Sequence, residues 1–303
     1  MDGPVGSETT SRLRREETVG EAGRIGLGCS RLGSFGTNDG TDPETILMTA
    51  AELGIRFFDT ADIYGQGDSE RLIGKFMRAN AGHFVVCTKV GQYFPWYFKP
   101  AFLVKGTIKL LLRRAGGTSA VRAARSRVLP RNFSASYLER KVSQSLKRLQ
   151  MQSVDIVMLH SPPAEVISEG SAISTLYAIK LRGAARAIGV ACDDRQTLDA
   201  ALDDKRIDAV QVTLDVLQAV DAGRLRHARA RGLTVIAREI FGGARPAGSA
   251  PLPPEFVRDR LLSAVSHPNV DIVLIGTTNA GRLRRLVRDY RDSRNAGVGR
   301  RST

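Results

Sequence analysis

Four polar side chains of complementary chemistry stand where the chain is predicted to leave a β-strand. Asp59, Lys89 and His160 each follow a short apolar run with the length of a buried strand. Tyr64 lies in the turn after Asp59, closed by Gly65. The carboxyl ends of parallel strands share one face of an α/β protein, so these four side chains are expected to converge there.

The four residues have the properties of a tunable general acid. A charged Lys89 beside Tyr64 would stabilise the phenolate and lower the pKa of Tyr64 from about 10 towards neutral pH. Asp59 would keep Lys89 charged and oriented, and His160 would hydrogen-bond a substrate carbonyl. This set suits protonation of an alkoxide as a hydride arrives at the carbonyl carbon, with neither a metal nor a nucleophile. Taken singly, Asp59 could instead cap the next segment and Tyr64 could fill a gap.

Strands and helices alternate along the chain. The strands are predicted at 24–28, 55–58, 84–88, 154–159, 187–190, 209–212, 233–237 and 271–275. The helices are predicted at 43–53, 69–77 with Ser69 as N-cap, 137–149 with Ser136 as N-cap, 174–181, 195–202, 222–231, 255–265 and 281–290. Eight such units predict an α/β fold, a single-domain (β/α)8 TIM barrel. A doubly wound sheet is the alternative, but its Gly-x-Gly-x-x-Gly fingerprint is missing between strand and helix.

Composition indicates a globular protein, and the length suits one large α/β barrel or two ordinary domains. The 303 residues are 42% hydrophobic and 25% charged, and no apolar run reaches the roughly 18 residues that span a bilayer. Residues 1–20 read as a disordered leader, 21–292 as the barrel and 293–303 as a flexible tail. Three widely spaced cysteines without metal-ligand pairing (Cys29, Cys87 and Cys192), and no signal sequence, predict a cytoplasmic protein with reduced thiols and no metal site.

The net charge of +14 raises the question of a nucleic-acid partner. Basic residues are spread along much of the chain, so we interpret them as solvated helix faces and expect no nucleic-acid partner. Residues 92–136, a long insertion after the third strand, are more unusual, since nine Lys or Arg and no Asp or Glu lie between positions 92 and 138. Within it, residues 100–114 could form a basic amphipathic helix. The insertion could be a lid that favours a large or anionic substrate, a neutral cover of the barrel edge, or a membrane-surface contact.

Three segments together resemble the aldo-keto reductase family. Residues 54–65 contain the pattern Asp-Thr-Ala-x-x-Tyr-Gly, residues 87–90 resemble the family's lysine strand, and residues 155–162 its histidine strand. Their order and spacing agree over roughly residues 24–290. The resemblance implies a TIM barrel that binds NADP(H) without a Rossmann domain and acts on a small-molecule carbonyl substrate. It also implies Tyr64 as proton donor, Lys89 and Asp59 as its tuners, and His160 as the residue that orients the carbonyl.

The resemblance also implies a cofactor site with several departures from the family pattern. Gln211 stands where the family binds the nicotinamide amide, but the usual Ser-Asn pair is Ala191-Cys192 here. Arg238 replaces a stacking aromatic residue, and its guanidinium plane could stack instead. Arg285-Leu286 replaces a Glu-Asn pair that contacts adenine. The expected cofactor residues are Gln211, Arg238, Phe241, Gly276, Thr277, Thr278 and Arg282.

Two functional readings therefore stand. The first is an NADP(H)-dependent reductase of aldehydes or ketones, favoured by the complete set of four catalytic candidates. The second is an NADP(H)-binding regulatory or sensor protein with little turnover, for which the altered positions at 191, 192 and 238 leave room.

Overall fold

Eight parallel strands close into a barrel in the computed structural model, which describes residues 22–32, 42–94, 129–243 and 250–298. The strands follow chain order, and β8 pairs with β1 to complete the ring. They are β1 Ile25–Gly28, β2 Phe57–Asp59, β3 Val85–Val90, β4 Val154–His160, β5 Ala185–Ala191, β6 Ala209–Val212, β7 Thr234–Ala237 and β8 Ile272–Ile275. The predicted (β/α)8 barrel is confirmed.

Helices surround the strands. In the described ranges they are α1 Pro43–Glu52, α2 Asp68–Ala79, α3 Ala135–Leu149, α4 Ala164–Glu169, α5 Ser171–Leu181, α6 Arg195–Asp203, α7 Leu214–Gln218, α8 Ala222–Ala230, α9 Pro254–Ser266 and α10 Ala280–Val298. A short 3-10 helix, Tyr64–Gly67, precedes α2. Most predicted helices agree to within a few residues, but the short α4 and α7 are absent from the prediction.

Three sequence expectations about helix ends are wrong. The N-caps of α2 and α3 are Gly67 and Ser134 rather than Ser69 and Ser136. Ser69 is instead buried, accepting a hydrogen bond from Thr60 Oγ1 at 2.9 Å. The last helix continues to Val298, so residues 293–298 extend it rather than belonging to the expected tail. The expected leader at 1–20, most of the insertion with its 100–114 segment, and residues 299–303 lie outside the described residues.

The barrel interior is filled by every second strand side chain, because successive residues in a strand point to opposite faces. Ten buried residues form this inner cluster: Phe57, Val85, Cys87, Ile156, Met158, Ala187, Ala209, Ile236, Ile272 and Leu274. The alternate side chains point outward into a second core beneath the helices. There Phe58 contacts Phe76 and Phe84 with ring centroids 5.7 and 5.4 Å apart.

A repeated acidic clamp closes the amino-terminal rim of the barrel. A carboxylate at or just before the start of an even-numbered strand accepts a backbone N–H from the preceding odd-numbered strand. The donors are Val86, Ile188 and Val235, and the acceptors Asp155, Asp208 and Asp271, each at 2.9 Å. Each acid also pairs with a cation: Arg186, Lys180 and Arg229 respectively. These clamps lie at the end opposite the catalytic candidates and leave the carboxyl-terminal mouth free for chemistry.

Candidate active site

The polar residues of the mouth follow from the same two-residue period that fills the core. Each stands two positions after an inward apolar residue: Asp59 after Phe57, Lys89 after Cys87, His160 after Met158, and Gln211 after Ala209. Because side chains alternate, all four polar groups continue the inward face at the carboxyl end of their strands. The structure therefore brings together the predicted Asp59, Lys89, His160 and Gln211.

Lys89 and Asp59 form a buried ion pair. Lys89 Nζ lies 2.7 Å from both carboxylate oxygens and donates to the Thr60 carbonyl oxygen at 2.9 Å. The two side chains are only 1% and 7% exposed. Burial alone would lower the pKa of Lys89, but the charge of Asp59 and neighbouring groups outweighs burial and raises it above the ordinary value. Lys89 is therefore a fixed ammonium group at neutral pH.

Tyr64 faces both Lys89 and His160. Its backbone N–H donates to the Ala61 carbonyl at 3.0 Å, and the Asp62 N–H donates to the Lys89 carbonyl at 3.0 Å, which ties the turn to β3. The Tyr64 ring stands at 84° to the His160 ring with centroids 5.8 Å apart. Lys89 Nζ lies 5.1 Å from the centroid of the Tyr64 ring. This arrangement places a phenol, an ammonium and an imidazole around one point.

The net pKa shift of Tyr64 is opposite to the sequence expectation. Burial raises the pKa of Tyr64, and Asp59 adds to this effect, while the positive charges of Lys89 and Arg238 lower it without offsetting burial. Lys89 thus acts in the expected direction, but the depth to which the hydroxyl is desolvated could not be predicted from sequence. The consequence is that Tyr64 holds its proton at neutral pH, as a proton donor must.

His160 is a neutral imidazole. Burial lowers its pKa well below the ordinary value, and the charges of Lys89, Arg238 and Arg131 lower it further. Within the described ranges, its Nδ1 atom is buried with no hydrogen-bond partner. A neutral imidazole carries one N–H and one acceptor nitrogen, so His160 can hydrogen-bond the oxygen of a bound carbonyl compound.

Gln211 reaches the mouth and contacts Asp59 there. Its side-chain Nε2 donates to Asp59 Oδ1 at 2.7 Å, and the residue is only 2% exposed. Asp59 therefore accepts hydrogen bonds from Lys89 and from Gln211 on opposite sides of the barrel. In this structure Gln211 therefore supports the buried Lys89–Asp59 ion pair.

Arg238, directly after β7, is held by two carboxylates. Its guanidinium donates to Asp193 Oδ1 at 2.5 Å, to Glu239 Oε1 at 2.6 Å and to the Cys192 carbonyl at 3.2 Å. The side chain is 17% exposed. Its Nε atom is buried and has no hydrogen-bond partner among the described residues. These ion pairs fix the guanidinium plane at the mouth.

Asp193 and Ser161 are mouth residues that the sequence interpretation missed. Asp193 accepts from Ser161 Oγ at 2.9 Å as well as from Arg238. Ser161 and Glu239 both adopt left-handed backbone conformations, with φ of 53° and 54°. Such strain in non-glycine residues clusters at functional sites. The position of Ser161, directly after β4, was the signal that could have identified it.

The positions of the missing Ser-Asn pair offer no polar side chain. Ala191 is 2% exposed, and Cys192 is fully buried with its thiol directed to the Val190 carbonyl at 3.7 Å. Burial raises the pKa of the Cys192 thiol. Polar groups at this part of the mouth come instead from the neighbouring Asp193 and Ser161.

The loop after β8 leads into the amino terminus of α10. Thr277 and Thr278 are buried, at 3% and 7% exposure. A Cβ atom at Gly276 would meet nothing closer than 3.8 Å. Asn279 Oδ1 accepts the backbone N–H of Arg282 at 2.7 Å, and the Arg282 side chain is exposed in the first helical turn. A helix amino terminus with an adjacent arginine fits the phosphate of a dinucleotide.

The remaining candidates on this side have structural contacts. Phe241 packs partly against the outer core. Leu286 is 3% exposed and belongs to that core, while Arg285 is exposed. Arg284 donates to Glu52 Oε2 at 3.1 Å, a surface contact between α10 and α1. The loop after β8 and Arg282 thus suit the phosphate of a cofactor, whereas Ala191 and Cys192 offer no polar side chain to its carboxamide.

Three observations bound the chemistry of the described part of the chain. It contains no group of three or more His, Cys, Asp or Glu side chains placed to hold a metal ion. Cys29, Cys87 and Cys192 are all buried and free. Among the described helices, none has both the length and the apolar character required to cross a membrane.

Comparison with known proteins identifies a family. Residues 24–251 match the model of the aldo/keto reductase family. L-galactose dehydrogenase from Arabidopsis thaliana is 30% identical over 174 residues, which cover 55% of this chain and 43% of that protein. The 6-dehydroglucose reductase of Novosphingobium aromaticivorans is 27% identical over 256 residues, covering 79% and 70%. The match thus spans less than half the length of the plant relative.

Solved structures show the same fold. An aldo-keto reductase from Bacillus halodurans in its holo form superposes with a TM-score of 0.63 at 20% identity, covering 88% of this chain and 86% of that one. An aldo-keto reductase from Klebsiella pneumoniae in complex with NADPH superposes with a TM-score of 0.58 at 16% identity, covering 88% and 85%. At these identities the likeness concerns the fold.

Proposed function

Because the chain belongs to the aldo/keto reductase family, we propose that it is an NADP(H)-dependent oxidoreductase that reduces an aldehyde or ketone to an alcohol, with Tyr64 as general acid. The observation that carries the proposal is the cluster of Tyr64 between the buried Lys89–Asp59 pair and the neutral His160. Relatives named as dehydrogenases and a reductase of sugars support the same reaction type.

Tyr64 supplies the proton in this mechanism. As negative charge develops on the carbonyl oxygen, the Tyr64 hydroxyl donates its proton to that oxygen and becomes a phenolate. The fixed ammonium of Lys89 stabilises the phenolate, and Asp59 holds the ammonium in place. His160, neutral at working pH, orients the same oxygen by a hydrogen bond.

The cofactor residues divide between two ends of the mouth. NADPH, when bound, supplies the hydride to the carbonyl carbon. We assign Gln211, Arg238 and Phe241 to the nicotinamide end, where the ion pairs of Arg238 hold its guanidinium plane in place. We assign Gly276, Thr277, Thr278 and Arg282 to the phosphate end, at the amino terminus of α10.

A pair of tyrosine variants tests the proposal. In Tyr64→Phe, kcat/KM for carbonyl reduction should fall by about 100-fold or more, the usual size of a general-acid contribution. Fluorescence titration should give an NADPH Kd within about twofold of the wild type. Tyr177→Phe, on the outer helix α5, is the matched control and should retain full activity.

The same measurements distinguish a reductase from the alternative, an NADP(H)-binding regulatory or sensor protein. Oxidation of NADPH by any aldehyde or ketone of a broad panel would establish turnover. Tight NADPH binding without turnover on the whole panel would favour a regulatory protein. Turnover in Tyr64→Phe close to that of the wild type would refute the role of Tyr64. A cytoplasmic location remains part of the proposal, supported by the three free thiols.

A further inference from the structure

The rim of the mouth holds an arginine that the proposed mechanism does not use. Arg131 lies at the foot of the insertion, just before α3. Its backbone forms an isolated antiparallel bridge with Gln92, and the neighbouring Asn132 N–H donates to the Gly91 carbonyl at 2.7 Å. Gln92 and Gly91 directly follow β3, the strand of Lys89. The backbone of Arg131 is therefore anchored beside the catalytic lysine strand.

The side chain of Arg131 forms only a long ion pair with an acidic residue. One guanidinium nitrogen lies 3.9 Å from Asp193 Oδ2, and the two side chains are 29% and 45% exposed. The other oxygen of Asp193 already accepts hydrogen bonds from Ser161 and Arg238. An exposed pair at such a distance contributes little, so Arg131 can turn to an incoming anion at small cost.

Three cations act on His160, the residue proposed to orient the carbonyl. The three charges that act most on His160 are those of Lys89, Arg238 and Arg131, and all are positive. Lys89 and Arg238 are each held by close carboxylates, at 2.7 Å or less. Arg131, with its longer contact, is the cation of this group with the most freedom to bind a substrate substituent.

We propose that Arg131 is a specificity-determining residue that binds the carboxylate of an anionic carbonyl substrate while its carbonyl oxygen lies at Tyr64 and His160. This inference rests on the proposed reductase function and names its substrate class: aldehydes or ketones that carry a carboxylate near the carbonyl. The planar guanidinium of arginine matches the two oxygens of a carboxylate.

Matched substrates test the proposal. Carboxybenzaldehydes substituted at positions 2, 3 and 4 are compared with the corresponding formylbenzamides, which are similar in shape but uncharged. For at least one isomer, wild-type kcat/KM should favour the carboxylate by about tenfold or more, as expected for a charge-assisted hydrogen bond. In Arg131→Met this preference should fall to about one, while kcat/KM for the amides and the NADPH Kd stay within about twofold.

Arg195→Met is the control variant. Arg195 lies on the outer helix α6 with its side chain 61% exposed, and its loss should leave the carboxylate preference unchanged. Arg131→Lys keeps the charge but loses the fork of donors, and should retain part of the preference. Absence of any carboxylate preference in the wild type, or its survival in Arg131→Met, would overturn the proposal.

A binding measurement separates this inference from the proposed function. Fluorine NMR reports binding of 3-fluorobenzoate and 3-fluorobenzamide to the full chain without any turnover. Preferential binding of the benzoate that is lost in Arg131→Met supports the anion site even if no aldehyde is reduced. In that case the proposed reductase function alone would fail. Equal binding of the two probes would count against the anion site even in an active enzyme.

Discussion

The side-chain amide of Gln211 donates to Asp59 Oδ1 at 2.7 Å, joining two residues that lie 152 positions apart in the chain. The same carboxylate oxygen lies 2.7 Å from Lys89 Nζ. Asp59 is thus shared between the lysine that serves Tyr64 and the glutamine that the family resemblance places at the nicotinamide. This contact links the acid–base half of the mouth to the cofactor half.

Replacement of Gln211 by Glu should destabilise the protein in a pH-dependent way. A second carboxylate would lie beside Asp59 in a buried site, and two such groups cannot both ionise cheaply. We expect Gln211→Glu to lower the free energy of unfolding by about 2 kcal/mol or more at pH 7.5, and by less at pH 5, where the new carboxyl group holds a proton. Urea unfolding at both pH values measures this. Gln218→Glu, on an exposed position of α7, is the control, and equal losses in the two variants would contradict the expectation.

Removal of the Lys89 ammonium should leave Asp59 buried without its charged partner. We expect Lys89→Met to lower the free energy of unfolding by about 3–5 kcal/mol, the usual cost of breaking a buried ion pair from one side. The double variant Asp59→Asn/Lys89→Met should recover part of this loss, because no buried charge remains. Both variants are compared with the wild type by urea unfolding, with one m-value fitted to all three proteins. A loss below about 1 kcal/mol in Lys89→Met would mean that water reaches Asp59.

The raised pKa of Tyr64 predicts opposite pH dependences for the two reaction directions. Since Tyr64 holds its proton, kcat/KM for carbonyl reduction should stay level from pH 6.5 to 9 and fall only above the ordinary tyrosine pKa of about 10. Alcohol oxidation requires the phenolate as base, so its kcat/KM should rise with pH over that range. Pre-steady-state rates of both directions on one substrate pair provide the measurement. A decline of reduction below pH 9 would place the pKa of Tyr64 lower than the structure indicates.

Period-two patterning explains why the barrel, and the position of the catalytic candidates at its mouth, could be predicted from sequence. Strand ends are visible as apolar runs, and the residue after each run continues the inward face, as Lys89 and His160 do. The size and direction of the pKa shifts at the mouth could not be predicted in this way. The sign of the Tyr64 pKa shift depends on desolvation and Asp59 against the positive charges of Lys89 and Arg238, and only the assembled mouth determines that balance.

Contacts between residues that are far apart in the chain could not be predicted from sequence either. Asp193 carries no local pattern that distinguishes it from a helix-capping acid such as Asp194, whose side chain accepts the Thr197 N–H at 2.8 Å. Its role follows from Arg238, which lies 45 positions further along the chain. The Gln211–Asp59 bond is of the same kind, because closing the barrel brings β6 across from β2.

Asp62 is a buried carboxyl group outside the proposed mechanism. It is 4% exposed, and its Oδ2 lies 3.0 Å from Lys141 Nζ. Its Oδ1 has no hydrogen-bond partner within the described ranges. Burial raises the pKa of Asp62 from 3.8 to about 6, and the attraction of Lys141 lowers it too little to compensate. The ionised form of Asp62 is therefore costly in the folded protein.

This shift predicts a loss of stability as pH rises. Below pH 4 Asp62 is protonated in both states, and between about pH 4 and 6 the folded state retains a proton that the unfolded chain releases. The contribution of Asp62 to stability should thus fall by about 2–3 kcal/mol between pH 4 and pH 7. In Asp62→Asn that slope should be absent, so the difference in unfolding free energy between wild type and variant should fall with pH over this range, measured by urea unfolding at half-unit pH steps. Asp259→Asn, with its side chain 68% exposed, should give a nearly flat difference curve. A flat curve for Asp62→Asn as well would mean that Lys141 fully compensates the buried charge.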